Sequence, residues 1–232
     1  CYNYTGGIMN SIYSYTRSEL ADYFKGIGEK AFKSDQLFDW LYKKREVNFD
    51  NMLNLNKSVI SRLKTDMVID SIKIIKKDVG NDVSKYLFLL NDGEKIEAVV
   101  MYHDYGTSLC ISTQVGCNMS CAFCESGRLK KRRNLEASEM VLQILEIEKD
   151  INSRISHIVL MGIGEPFDNY TNVMKFIKII NDSKGIDIGA RHITISTCGL
   201  VNKIKEFTKE KLQVNLAISL HAPNNELRDM LM

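Results

Sequence analysis

The sequence predicts an α/β protein whose main sheet is parallel, preceded by a small helical module. Two patterns carry this prediction. After Gly106, short apolar strands alternate with amphipathic helices, which implies parallel strands joined by right-handed crossovers. Before it, Ile72-Lys73-Ile74-Ile75, Tyr86-Leu87-Phe88-Leu89-Leu90 and Ile96-Glu97-Ala98-Val99-Val100 are apolar runs punctuated by Gly80-Asn81-Asp82 and Asn91-Asp92-Gly93. The second punctuation suits a hairpin, so these runs read as antiparallel strands. Four strand–helix units are present, fewer than a closed barrel needs, so the expectation is a partial (β/α) barrel.

At the N-terminus, residues 1–8 are expected to be a non-native leader. Cys1 is not an initiator, Met9 opens a new run, and Gly6-Gly7-Ile8 is encodable by a purine-rich ribosome-binding sequence. Residues 9–70 form the helical module. Apolar residues recur at helical spacing from Ser18 to Lys25 and from Ser34 to Arg45, each run opened by a serine suited to N-capping, and a third helix is expected from Lys57 to Met67. Residues 71–104 form the antiparallel extension, and residues 105–232 the alternating core. In the core, strands are expected at Ser108–Thr113, His157–Met161, His192–Ser196 and Val214–Leu220. Helices are expected at Ala137–Ile151, Asn169–Asn181 and Val201–Lys209. The end, Arg228-Asp229-Met230-Leu231-Met232, stops inside a helix-like pattern, and the chain is expected to be cut short there.

Composition narrows the class. With 232 residues, 44% apolar and 26% charged, the chain has room for one sizeable core and a smaller module. No stretch reaches the roughly 18 uncharged apolar residues of a membrane helix, and no secretory signal pattern opens the chain, so a cytoplasmic protein is expected. Three of the six cysteines fall within eight residues, which favours metal over a scattered disulfide framework. A net charge of +2 does not announce a nucleic-acid binder, so any such role rests on local patches.

Those cysteines, Cys117, Cys121 and Cys124, are the most informative residues. Three thiolates at this spacing can hold three corners of an iron–sulfur cube and leave one iron free, whereas an electron-transfer cluster normally takes four cysteines. A zinc site completed by Cys110, Cys198 or a histidine is the alternative, although no distant second Cys-x-x-Cys pair is present. In a parallel β/α sheet the strand ends converge on one mouth. The cysteine loop, Gly162-Ile163-Gly164-Glu165-Pro166, Ser196-Thr197-Cys198-Gly199 and Ser219-Leu220-His221-Ala222-Pro223 each follow a strand. Glu165 offers a carboxylate to a ligand amine, or caps the next helix; Ser196 and Ser219 offer hydroxyls to a ligand, or satisfy backbone; His221 stands at a strand terminus. Phe123 beside the last cysteine would shield a cluster from water, or simply pack. Arg128, Lys130, Lys131, Arg132 and Arg133 place five cations in six residues beside this mouth, where they could grip RNA phosphates or form a solvated face.

Together these residues resemble a known family. Cys-x-x-x-Cys-x-x-Cys is similar to the cluster motif of radical S-adenosylmethionine (SAM) enzymes. With Gln114-Val115-Gly116-Cys117, Met161-Gly162-Ile163-Gly164-Glu165-Pro166, Ser196-Thr197-Cys198-Gly199 and Ala217-Ile218-Ser219-Leu220-His221-Ala222-Pro223, the chain resembles the RlmN family of rRNA and tRNA adenine methyltransferases. The likeness includes Glu29-Lys30-Ala31-Phe32 and Trp40-Leu41-Tyr42 and runs to the last residue.

The resemblance implies a truncated radical-SAM barrel in residues 105–232. It implies that Cys117, Cys121 and Cys124 ligate a [4Fe–4S] cluster whose open iron chelates SAM, with Gly164, Glu165, Ser196, Ser219, Leu220 and His221 at SAM-contacting positions. It further implies that Cys110 is a second catalytic cysteine and Glu97 a proton acceptor, where the residues alone read as a small buried hydrophobe and a solvent-facing strand position. The implied partners are 23S rRNA, tRNA and an electron donor such as flavodoxin or ferredoxin, acting on a monomer. The implied reaction methylates carbon 2 of adenine through a methyl-cysteine.

The chain departs from the family in one respect. The methyl-carrying cysteine and an asparagine of the SAM site lie beyond Met232, so residues 1–232 are expected to bind a cluster without completing turnover. The rival readings are a Cfr-like carbon-8 methyltransferase, a non-catalytic RNA-binding module with zinc, and a ferredoxin-like carrier using Cys110 or Cys198 as fourth ligand.

Overall fold

The computed structural model describes residues 10–232, so the expected leader, residues 1–8, lies outside the described residues. The chain divides into two compact units. The smaller takes in the chain up to Ser71 together with Lys175–Ile188, and the larger comprises Ile72–Met174 and Gly189–Met232.

In the smaller unit, β1 (Asn10–Ser11) precedes helices α1 (Arg17–Gly26), α2 (Lys33–Phe38) and α3 (Lys57–Asp66), and β2 (Met67–Val68) returns parallel to β1. The helices form where expected, but neither serine caps. Thr16 caps α1, accepting from the Glu19 amide at 3.2 Å while the Glu19 carboxylate accepts from the Thr16 amide at 2.7 Å. This reciprocal arrangement needs an acid three residues after the cap, which Thr16 has. Ser34 lies inside α2 and donates to the Ala31 carbonyl at 2.8 Å. Beyond α2 the helix widens into a π turn at Asp39–Lys43. Leu20, Phe24, Leu37, Phe38, Leu41, Tyr42, Val59 and Leu63 are buried, and Arg17 ties the unit together through Asp35 and Asp182, each at 2.8 Å.

The larger unit is built on one sheet of seven strands. In chain order its elements are β3 (Lys73–Val79), β4 (Val83–Leu89), β5 (Lys95–His103), β6 (Gly106–Cys110), the short β7 (Gln114–Val115) and β8 (Arg133–Asn134), and then α4 (Ala137–Ile151). They are followed by β9 (His157–Leu160), α5 (Tyr170–Ile180), whose part from Lys175 onward is counted with the smaller unit, β10 (Ile193–Thr197), α6 (Val201–Phe207), β11 (Asn215–Ile218) and α7 (Asn225–Leu231). The sheet order is β11-β10-β9-β6-β5-β4-β3. Strands β11, β10, β9 and β6 are mutually parallel, and β6, β5, β4 and β3 are antiparallel. The antiparallel strands therefore continue the parallel sheet edge to edge through β6. Four β/α units are present, as the alternation predicts.

Period-two alternation divides this sheet into two faces. Ile96, Ala98, Val100, Leu109, Ile158, Leu160, Ile193 and Ile195 point to one face and are buried. Helix α4 covers that side with Met140, Val141, Ile144 and Ile147, and its Asp150 accepts hydrogen bonds at 2.7 Å from both the Tyr86 hydroxyl and Lys77. The opposite face carries Glu97, Val99, Cys110, Val159 and Thr194, all only half-buried. Among the described residues no helix is long and apolar enough to cross a membrane.

At the start of the parallel strands, His157 and His192 stack with ring centroids 4.4 Å apart, and Tyr105 stacks on His103 while meeting His157 edge-on. Burial, then the charges of His192 and His103, hold the His157 imidazole below its usual value. A depressed imidazole favours the folded state above its unfolded pKa of about 6.5, and that contribution is lost as pH falls through the lower folded value. The thermal midpoint is therefore expected to drop on acidification from about pH 7.5 to 5, and His157→Gln to flatten this dependence; parallel pH profiles of the two proteins check it. Ile144→Ala is expected to cost about 2–5 kcal/mol in urea unfolding, because the site cannot collapse around the lost side chain.

Candidate functional site

The residues after β6, β9, β10 and β11 meet at the carboxyl edge of the parallel strands. The cysteine loop is pinched at its base by the β7–β8 ladder, which pairs Gln114 with Asn134 and Val115 with Arg133. Gly116 opens the loop with φ +75°, and any side chain there would overlap the Lys130 carbonyl. Inside, the Cys117 amide donates to Leu129 at 3.0 Å, the Cys124 amide to Cys121 at 3.1 Å and the Gly127 amide to Cys124 at 3.0 Å. These local bonds hold the three cysteines in place.

All three thiols are free and half-buried. Burial raises the Cys117 thiol, and the charges of Cys121, Glu165 and Cys124 raise it further. Burial followed by Cys124 does the same for Cys121. Mutually repelling thiolates suit a cationic centre, since a coordinated metal reverses this penalty. Among the described residues no three His, Cys, Asp or Glu side chains converge closely enough to share one metal ion.

Strand β9 leads into Gly162–Glu165. Gly164 has φ +105°, and a Cβ there would lie 2.6 Å from that of Gln114, so only glycine lets this loop settle against β7. Gln114 is fully buried and joins three loops: its carbonyl oxygen accepts from the Glu165 amide at 2.9 Å, and its amide donates to Asn134 and Asp168, each at 2.9 Å. Asp168 also accepts from Lys131 at 2.8 Å, which fastens the cysteine loop to the Glu165 loop. Burial alone would push the Asp168 carboxyl up, but the hydrogen bonds from Lys131 and Gln114 outweigh it and hold the group below its usual range.

Glu165 is 4% exposed, and both carboxylate oxygens take backbone donors: Oε1 from Phe167 at 2.9 Å and Oε2 from Cys198 at 2.8 Å. It thus caps the turn before α5 while also tying the end of β9 to the end of β10. Ser196 and Ser219 face each other with hydroxyl oxygens 3.1 Å apart. Leu220 is 61% exposed, and His221, at φ +56°, lays its ring 4.6 Å from that of Phe123 on the cysteine loop. Phe123 is itself 53% exposed and meets His221 rather than being buried. Cys198 contacts Met119 sulfur to sulfur at 3.3 Å, and burial pushes its thiol up to about 12.

Strand register places the remaining two residues. Cys110 pairs with Val99 on β5 and with Val159 on β9, and Val159 pairs with Thr194. Glu97 is two residues from Val99 and Ser196 two from Thr194, so Glu97, Cys110 and Ser196 share the half-buried face of the sheet. Glu97 is held by Lys85 at 2.7 Å, and Cys110, its thiol raised by burial, receives a hydrogen bond from the Met161 amide.

The basic run is largely paired. Lys131 is committed to Asp168, Arg132 to Glu94 at 2.6 Å, and Arg133 to Asp92 and Glu139, each at 2.7 Å. Arg128 meets Glu125 at 3.2 Å in an exposed contact of the kind that contributes little, and Lys130 is exposed with no ion pair among the described residues. Sequence reasoning did not single out Gln114, Asp168 or Arg228. Gln114 carries a faint signal, as the first residue of the Gln114-Val115-Gly116-Cys117 run quoted for the family likeness, whereas Asp168 and Arg228 carry none.

Comparison with known proteins agrees with this geometry. Residues 10–69 match the family described as ribosomal RNA large subunit methyltransferase N-terminal domain, and residues 111–232 match the radical SAM superfamily. A protein of Enterococcus faecalis named probable dual-specificity RNA methyltransferase RlmN is 52% identical over 228 residues, spanning 96% of this chain and 64% of the relative. A Spiroplasma citri protein of the same name is 52% identical over 228 residues, spanning 97% of this chain and 66% of the relative. The chain thus spans somewhat under two thirds of these relatives' length. The crystal structure of a radical SAM methyltransferase from Sphaerobacter thermophilus superposes with a TM-score of 0.87 at 36% identity, covering 96% of this chain and 67% of that one. With a cysteine loop, a glycine-turned acid and two strand-end serines at one mouth, and with relatives matching along nearly its whole length, the chain belongs to the radical SAM superfamily, in its RlmN group.

Proposed function

We propose that this chain carries the cluster- and SAM-binding part of an RNA adenine methyltransferase acting on carbon 2 of adenosine in 23S rRNA and tRNA. The observation that carries the reading is the convergence of Cys117, Cys121 and Cys124 with Glu165, Ser196 and Ser219 at one strand-end mouth, beside the face that bears Glu97 and Cys110. Cys117, Cys121 and Cys124 would hold a [4Fe–4S] cluster, and Gly164, Glu165, Ser196, Ser219, Leu220 and His221 would surround SAM. When bound, these groups supply one-electron and methyl-donor chemistry, which the electron-poor, lone-pair-free carbon 2 of adenine requires.

The protein's own residues bind, orient and move protons. Glu165 is held in place by two backbone amides, so it would meet a ligand amine without reorganisation. Ser196 and Ser219, locked to each other, offer paired hydroxyls to a ribose or carboxylate. Glu97, oriented by Lys85, is the proton acceptor, and Cys110 is the thiol on the same face that resolves a covalent RNA adduct. Phosphate contact falls to the outermost cations, Arg128 and Lys130, because Lys131, Arg132 and Arg133 are spent on carboxylates. Exposed Phe123 and Leu129 flank the cysteine loop and suit an electron-donor protein of the flavodoxin or ferredoxin type. A reducing, cytoplasmic setting fits the five free thiols among the described residues.

Anaerobic reconstitution with iron and sulfide is expected to give a brown protein with about four irons per chain, and Cys121→Ala to abolish it; a colourless protein retaining zinc would replace this reading with a structural metal site. Asp168→Ala is expected to leave folding intact but to speed proteolysis inside residues 116–132 and lower reconstituted iron, since the Lys131 tether is lost; limited digestion and iron analysis check this.

A further inference from the structure

Helix α7 does more than end the chain. Arg228, at its midpoint, donates from Nη1 to the carbonyls of Ser219 at 3.1 Å and Leu220 at 2.5 Å, and from Nη2 to the carbonyl of Cys198. Three residues on, the Leu231 carbonyl accepts the Ala122 amide of the cysteine loop at 2.8 Å. One short helix therefore grips the end of β10, the end of β11 and the loop between Cys121 and Cys124. The Cys198 amide is at the same time bound to Glu165 at 2.8 Å, so the fourth strand end joins the same chain of bonds. Three carbonyl dipoles converging on one point would repel one another, and the guanidinium between them removes that conflict.

The arrangement asks for an arginine. A planar guanidinium presents several donors in fixed directions and can serve three acceptors at once, whereas a lysine ammonium is a compact point charge with no such span. The β10–β11 ladder, which runs to Thr197 and Ile218, and the Ser219 amide bond to the Thr197 carbonyl at 2.9 Å hold the strands themselves, so that Ser196 and Ser219 face each other at 3.1 Å; Arg228 takes over just beyond, where the backbone leaves the ladder at Cys198, Ser219 and Leu220.

We propose that Arg228 is a positioning residue of the SAM pocket, fixing the backbone just beyond β10 and β11, at Cys198, Ser219 and Leu220, so that Ser196, Ser219, Leu220 and His221 form one wall beside the cluster loop. This rests on the reading of the mouth as a SAM site. The test compares the wild-type chain with Arg228→Ala and Arg228→Lys after anaerobic reconstitution. It measures iron content, the unfolding midpoint, SAM binding by equilibrium dialysis, and the change that SAM produces in the electron paramagnetic resonance spectrum of the reduced cluster. Both variants are expected to keep wild-type iron, to bind SAM about ten- to a hundredfold more weakly, and to lose most of the SAM-induced spectral change.

Wild-type affinity in the folded lysine variant would overturn the proposal even where the alanine variant fails to fold. So would a loss of iron in step with the loss of SAM in both variants, which marks general support of the loop instead. If the wild type itself holds the cluster but shows no SAM binding, the reading of the pocket fails, and that result is distinct from any difference between the variants.

Discussion

The larger unit depends on the pairing of β6, which runs antiparallel to β5 on one side and parallel to β9 on the other. Because side chains alternate with period two, these two registers decide at once which face every neighbouring residue takes. Cys110 is paired with both Val99 and Val159, and this single row brings Glu97 from the antiparallel part and Ser196 from the parallel part onto one face. A slip of one residue at β6 would send Cys110 into the aliphatic layer and turn Leu109 out of it. That layer, with Leu109, Ile158, Ile193 and Ile195 fully buried, is what makes such a slip costly.

At the mouth, stability comes from polar side chains that satisfy loop backbone. Gln114, Glu165, Asn169 and Arg228 do so, each bonding to two or more groups on different segments, while Asp168 gathers the side chains of Gln114 and Lys131. Ser112, fully buried, works the same way one layer down, donating to the Glu97 carbonyl at 2.6 Å and accepting from the Ile163 amide at 3.0 Å. Loops that leave a sheet carry unpaired donors and acceptors, and burying them unsatisfied costs about 1–3 kcal/mol each. Here the residues that settle this debt also set the geometry of the site. Glu165 shows the overlap most directly, because its helix-capping and strand-bridging bonds use the same carboxylate whose charge raises the Cys117 thiol after burial has done so.

Much of the fold was legible because its signals are local. The Asn91-Asp92-Gly93 turn, the Ala137–Ile151 helix and the alternation after Gly106 all rest on periodicities and turn residues that act over a few positions. The misplaced caps show the limit: Ser18 and Ser34 are good capping residues, but Thr16 wins through its partner Glu19, and Ser34 is absorbed by a helix that starts earlier. The basic run shows another, since five adjacent cations suggest a phosphate grip until Glu94, Asp92, Glu139 and Asp168 arrive from elsewhere in the chain.

By itself, the sequence determined the order of strands and helices, the cysteine spacing and the gathering of motif residues at strand ends, because each follows from short-range pattern. Tertiary structure alone decided that the antiparallel strands extend the parallel sheet, that Glu97 and Cys110 share a face with Ser196, and that Arg228 braces two strand ends. Register and long-range hydrogen bonding depend on which partner each backbone and side chain finds across the fold. No local pattern encodes that choice.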